Sequence, residues 1–220
     1  NYTFRGCSGL TSVTIPEGVT SIDAYAFQDC SSLTSITIPE RVTKIKSGTF
    51  YNCTSLENVT LPEGLQGIEN SSYDGSGAFE NCTSLKSIVI PESVTSIDRL
   101  SFSGCSGLTS VTIPASVGNS AFFGCSSLTS ATILEGVTRI GDSAFSGCSS
   151  LTGVTIPGGV TSIGGSVFYG CSSLTSVTIP EGVTSIDYQA FYGCSSLTSV
   201  TIPEGVTSIG SSAFDGCSSL

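Results

Sequence analysis

The chain repeats itself, and the repeat is too short to fold alone. Cysteines stand at positions 7, 30, 53, 82, 105, 125, 148, 171, 194 and 217, so the spacing is 23 residues except for one of 29 and one of 20. A phenylalanine lies three residues before each: Phe4, Phe27, Phe50, Phe79, Phe102, Phe122, Phe145, Phe168, Phe191 and Phe214. Apolar residues recur at fixed offsets from the Cys, and in the first full copy they are Leu10, Val13, Ile15, Val19 and Ile22. One such unit has too few apolar side chains to close a core. Stacked units place each Leu, Val, Ile and Phe on its counterpart and form one continuous core.

Within a unit, the run Ser12-Val13-Thr14-Ile15 alternates polar and apolar residues, as a half-buried strand does. Pro16 ends it, because proline has no N–H to give a ladder. The expectation is a repeat solenoid, mostly β, with a right-handed coil and a single domain over residues 1–220. About nine 23-residue repeats start near Cys7, Cys30, Cys53, Cys82, Cys105, Cys125, Cys148, Cys171 and Cys194, with one short parallel strand per repeat. Two stretches break the period: residues 65–81 carry an insertion of six, and a deletion of three lies near 115–121. Both fall between strand and Phe, so the strand sheet is expected to continue past them while the opposite side bulges and dents.

Runs such as Ala213-Phe214-Asp215-Gly216-Cys217-Ser218-Ser219-Leu220 and Leu197-Thr198-Ser199-Val200-Thr201-Ile202-Pro203 carry the pattern Leu-x-x-Val-x-Ile. Over its whole length the chain resembles the BspA-like (Treponema-type) leucine-rich repeats. The resemblance implies a horseshoe whose strands line a concave face, and a concave face that binds the partner. It also implies a surface protein that binds host matrix proteins, other cells or glycans. The stretch 115–121 departs from the family pattern in lacking its usual Ile.

Chemistry finds little purchase. The chain contains no His, and no phosphate loop, nucleophile elbow or isolated carboxylate pair occurs. One Cys per coil, always at the same place, sets neighbouring thiols about one strand spacing apart. Disulfides, which need Cβ atoms ~3.8 Å apart, would pinch the coils in pairs. Without a Cys-x-x-Cys pair or any His, metal binding and thiol catalysis lack their partners. The cysteines are expected to be free, buried packing residues, and the protein to be no enzyme and to need no cofactor. Seventeen acidic against seven basic residues give a net charge of −10, which disfavours nucleic acid and anionic membranes. No apolar run approaches the roughly 18 residues of a membrane span, and no signal segment opens the chain; it reads as a piece of something longer.

The outward strand positions form two columns. One is Ser12, Ser35, Asn58, Ser87, Ser110, Ser130, Gly153, Ser176 and Ser199; the other is Thr14, Thr37, Thr60, Val89, Thr112, Thr132, Thr155, Thr178 and Thr201. Such a face suits a repetitive or extended ligand, although small hydroxyl residues also simply suit a solvent-facing strand. Glu57, Asn58, Lys86 and Val89 break the columns beside the insertion. Tyr51, Phe123, Tyr169 and Tyr192 each follow a ladder Phe, and Tyr188 lies four residues before Tyr192. Exposed Tyr is common on recognition and sugar-binding surfaces. Glu17, Glu40, Glu63, Glu92, Glu135, Glu181 and Glu204 form an acidic column, which reads as a solvated edge rather than a calcium cage. Arg41, Lys44 and Lys46 are expected to pair with Glu17, Glu40 or Glu63 on adjacent coils. Among sequons at Asn1, Asn52, Asn58, Asn70 and Asn81, Asn70 in the inserted loop is the expected acceptor.

The candidate binding surface is therefore Ser12, Thr14, Ser35, Thr37, Asn58, Thr60, Lys86, Thr112, Thr132, Thr155, Thr178 and Thr201, with Tyr169, Tyr188 and Tyr192. The functional expectation is a non-catalytic adhesion or interaction module, secreted or on the cell surface, that binds an extracellular protein or glycan. The alternative is a structural spacer or self-associating scaffold, since solenoid ends expose strand edge and core.

Overall fold

The computed structural model describes residues 2–70 and 75–220. A regular coil leaves its Cys, runs through a strand, turns at Pro, makes a second short strand, and returns through the Phe turn to the next Cys. In chain order the strands are β1 (Ser35–Thr37) and β2 (Lys44–Ile45), β3 (Asn58–Thr60) and β4 (Gly67–Ile68), and β5 (Ser96–Ile97). Then come β6 (Ser110–Ile113), β7 (Ser116–Val117) and β8 (Ser130–Ile133). The last coils hold β9 (Gly153–Thr155) and β10 (Ser162–Ile163), β11 (Ser176–Thr178) and β12 (Ser185–Ile186), and β13 (Ser199–Thr201) and β14 (Ser208–Ile209). All pairings are parallel.

Two expectations need correction. The first is the single strand per repeat, because six of the described coils carry two. A second sheet is built from two-residue strands ending in Ile or Val, in the order β2-β4-β5-β7 and β10-β12-β14. Any extended segment stacked on its own copy one coil away faces matching N–H and C=O groups, and pairs. Two residues are too few to show an alternation in sequence, so this sheet was invisible there. The count also falls short of nine: among the described residues about seven turns carry a regular strand in the first sheet. The coil from Cys82 contributes only the bridge Ser87–Ser110 there, and the coil from Cys7 contributes no regular strand.

The second correction concerns the insertion. The first sheet does not run on past it: β1-β3 forms one piece and β13-β11-β9-β8-β6 another, and no β3 pairing crosses to the coil from Cys82. It is the second sheet that bridges the insertion, pairing Gly67 with Ser96 and Ile68 with Ile97. The deletion, in contrast, leaves the first sheet intact, while regular pairing in the second sheet ends just beyond it, between β7 and β10. Val117 takes the place of the missing Ile, in register with Ile97 on one side and Ile140 on the other.

The core is a set of parallel columns. The ladder phenylalanines stack with centroids 5.1–5.8 Å apart and planes within 18° of parallel. Phe50 to Phe191 are wholly buried, each burial contributing about 1.5–3 kcal/mol. At every Phe turn but that of Phe79 the chain twice enters the left-handed region. The residue before each Cys does so throughout, and it is Asp29, Asn52, Asn81 or a Gly such as Gly147 (φ 75°). Only those residue types take that conformation cheaply. Asn81 donates to Asn52 Oδ1 (3.1 Å) and Asn52 to Asp29 Oδ1 (3.0 Å), so three coils share a side-chain ladder there.

Candidate functional site

The first sheet presents the predicted hydroxyl face. Ser110, Ser130, Gly153, Ser176 and Ser199 are in register, and so are Thr112, Thr132, Thr155, Thr178 and Thr201. Ser35 pairs with Asn58 and Thr37 with Thr60 across the smaller piece. All of these but the half-buried Gly153 are exposed, as are Ser12, Thr14 and Lys86. Alternation fixes this: Val111, Ala131, Val154 and Val177 between them are buried, so their neighbours must face out. Lys86 approaches Glu57 Oε2 at 3.8 Å on the solvent side, an exposed pair that contributes little to stability.

The face is interrupted at one place. Val89, where other coils have Thr, is 80% exposed. A groove of about 750 Å³ opens around it, lined by residues 87–93 with Thr112, Thr132, Leu134 and Glu63. It lies against the break between the two pieces of the first sheet.

The tyrosines are not all in one place. Tyr169 and Tyr192 stack at 4.9 Å with planes 5° apart, on the Phe turn of adjacent coils. Tyr188 stands apart from them. Its ring covers Gly165, where a Cβ would come within 2.3 Å of it. It borders a second groove, of about 820 Å³, together with Asp98, Asn119, Arg139 and Asp142. Gly75, Ser76 and Glu80, from the end of the insertion, close the other side. Burial pushes the Glu80 carboxyl above its ordinary value, against the opposing hydrogen bond from Gly77 N and the charge of Arg99. This groove was not anticipated. The one hint in sequence was that Gly118, Gly141 and Gly164 stand where earlier coils have Asp23, Lys46, Glu69 and Asp98.

Two of the basic trio, Lys44 and Lys46, pair across coils, but with carboxylates other than those expected, and Arg41 forms no ion pair with any described carboxylate. Lys44 meets Glu69 (2.7 Å) and Lys46 meets Asp23 (2.6 Å), and the Lys46 hydrogen bond lowers the Asp23 pKa. The expected glutamates are exposed. They sit at the turn before the second strand, whereas Lys44 and Lys46 lie on that strand and just beyond it. The acidic column is likewise exposed, and no group of acidic or Cys residues among those described is arranged to hold a metal. Asn70 is less available than its loop position suggested. Its amide nitrogen donates to Gly75 O (2.7 Å) and Arg99 O (3.3 Å), whereas Asn58 is exposed. Asn1 lies outside the described residues.

The cysteines are free, and all but Cys7 and Cys217 are buried. Each thiol from Cys30 onward donates to the carbonyl of a ladder Phe in an earlier coil, as Cys53 Sγ does to Phe27 O (3.1 Å). Burial pushes the thiols up, to about 11 at Cys30 and about 12 at Cys53 and Cys194. The thiolate is the reactive form, so iodoacetamide at neutral pH is expected to modify at most Cys7 and Cys217 in the folded protein, and all ten cysteines in urea. A mass spectrum showing most of them modified without denaturant would contradict the buried ladder.

The sequence matches the family described as BspA type leucine rich repeat region, in six copies over residues 1–77, 75–118 and 115–220. No curated protein matches it. Among solved structures it is similar to a leucine-rich repeat protein of T. pallidum, with 30% identity, 84% of this chain and 77% of that one covered, and a TM-score of 0.58. It is also similar to a leucine rich cell surface protein of Faecalibacterium prausnitzii, with 32% identity, 99% and 66% covered, and a TM-score of 0.53. A leucine-rich repeat protein of Eubacterium ventriosum, 23% identical with 97% and 78% covered and a TM-score of 0.61, shares the fold.

Proposed function

This chain belongs to the BspA-type leucine-rich repeat family, and from that premise we propose that it is a non-catalytic binding module of a secreted or cell-surface protein. Its ligand is an extended protein or glycan held on the first sheet. The observation that carries this reading is the groove around Val89. Val89, 80% exposed at the groove, gives a face made mostly of Ser and Thr one apolar contact point beside the concavity. The hydroxyl ladder beside it, from Thr112 to Thr201, offers equivalent weak contacts that add along an extended partner. Likeness to the F. prausnitzii cell surface protein supports the location, and membership of a non-enzymatic repeat class supports the absence of catalysis.

The test is surface plasmon resonance of the immobilised chain against extracellular matrix proteins, glycans and the chain itself. Saturable binding weakened about tenfold or more by Val89→Lys is expected, the loss typical of a residue at the centre of a contact. Binding indifferent to Val89→Lys would move the site off this face. Binding to itself alone would favour the scaffold reading instead.

A further inference from the structure

The second groove differs from the first in chemistry. It lies where the second sheet gives way to the Phe turn, between the end of the insertion and Tyr188. Its polar groups alternate in kind. Arg139 forms no ion pair with any described carboxylate; one of its nitrogens donates to Asn119 Oδ1 at 3.5 Å. That same Asn119 oxygen takes the backbone N–H of Asp142 (3.2 Å), which leaves the amide NH₂ of Asn119 as a donor. Asp142 Oδ1 accepts from Gly165 N (3.0 Å), leaving its second oxygen as an acceptor. Planar donors and acceptors thus stand on adjacent coils, each held by a neighbouring coil. Asp98 and Tyr188 are four coils apart, so the groove extends on the order of 20 Å at strand spacing.

We propose that this groove is a binding site for a neutral oligosaccharide, distinct from the first-sheet face. Vicinal sugar hydroxyls each donate and accept, which is what a row of amide, guanidinium and carboxylate groups satisfies. The apolar C–H face of a sugar ring needs an aromatic platform, and Tyr188, 52% exposed and seated on Gly165, supplies it. Charge selects the uncharged class: carboxylates outnumber guanidiniums along the groove, and the chain carries −10 overall. A peptide would need more apolar lining than Leu100 and Tyr188 provide.

The test probes the whole chain on an oligosaccharide array, with neutral hexose polymers and acidic glycosaminoglycans as separate panels, and titrates the hits by calorimetry. Neutral oligosaccharides are expected to bind, with little change between low and high salt. Tyr188→Ser and Arg139→Ala, both at exposed positions, are each expected to weaken binding about tenfold while leaving the melting curve in place. Val89→Lys leaves it unchanged. Absence of any neutral hit, preference for the acidic panel, or indifference to both groove variants would overturn the inference. So would loss of sugar binding in Val89→Lys, which would place the sugar on the first sheet and leave the first proposal standing.

Discussion

Replacing Phe145 by alanine is expected to destabilise the protein by ~3–5 kcal/mol. Phe145 is wholly buried and stacks on Phe122 at 5.4 Å and on Phe168 at 5.8 Å. Removing the ring therefore deprives two other rings of a face as well as opening a cavity. The site cannot collapse to fill it, because coil separation is fixed by backbone bonds such as Phe145 N to Val167 O (3.0 Å) and Phe122 N to Ala144 O (2.9 Å). Urea denaturation followed by circular dichroism measures the effect. In a stack where each coil touches only its neighbours, the weakened interface can also divide the transition in two. A midpoint equal to that of the parent would mean that the ring is not in the core.

Gly141→Ala is expected to cost about 1–3 kcal/mol, as overpacking does, although it adds one methyl group. A Cβ there would stand 2.5 Å from Asn119 N and 2.6 Å from Gly118 C. Both are backbone atoms of the coil beneath and have no rotamer to escape into. The coils must part, straining the bond from Gly141 N to Val117 O (2.8 Å). Gly158→Ala is the control, since a Cβ there meets nothing within 4 Å; it is expected to be neutral or to stabilise slightly by restricting the unfolded chain. Equal urea midpoints for the two variants would refute the close approach of coils at Gly141.

Much of this architecture is legible in the sequence, and particular residues show why. In a stacked repeat, an offset from the Cys is also a position in space. Leu151, Val154, Ile156, Val160 and Ile163 are buried because their counterparts in the adjoining coils stack on them. Thr155 faces solvent because it lies between Val154 and Ile156. Free thiols follow from the same logic. What the repeat hides is whatever departs from it. Lys44 and Lys46 pair with Glu69 and Asp23, partners no column pointed to, because an ion pair depends on which side chains meet across two coils.

The sequence by itself determined the stack: its period, its core columns, its outward Ser and Thr, and its two irregular coils. These are local matters of side-chain type, copied from unit to unit. Only the tertiary structure decided that the chain pairs along two sheets, that the insertion breaks the first while the second bridges it, and that Val117 replaces the missing Ile. It alone brought Asn119, Arg139 and Asp142 into one groove with Tyr188. Those outcomes depend on how closely coils approach where the repeat fails, and no periodic pattern encodes a distance at the point where the period is lost.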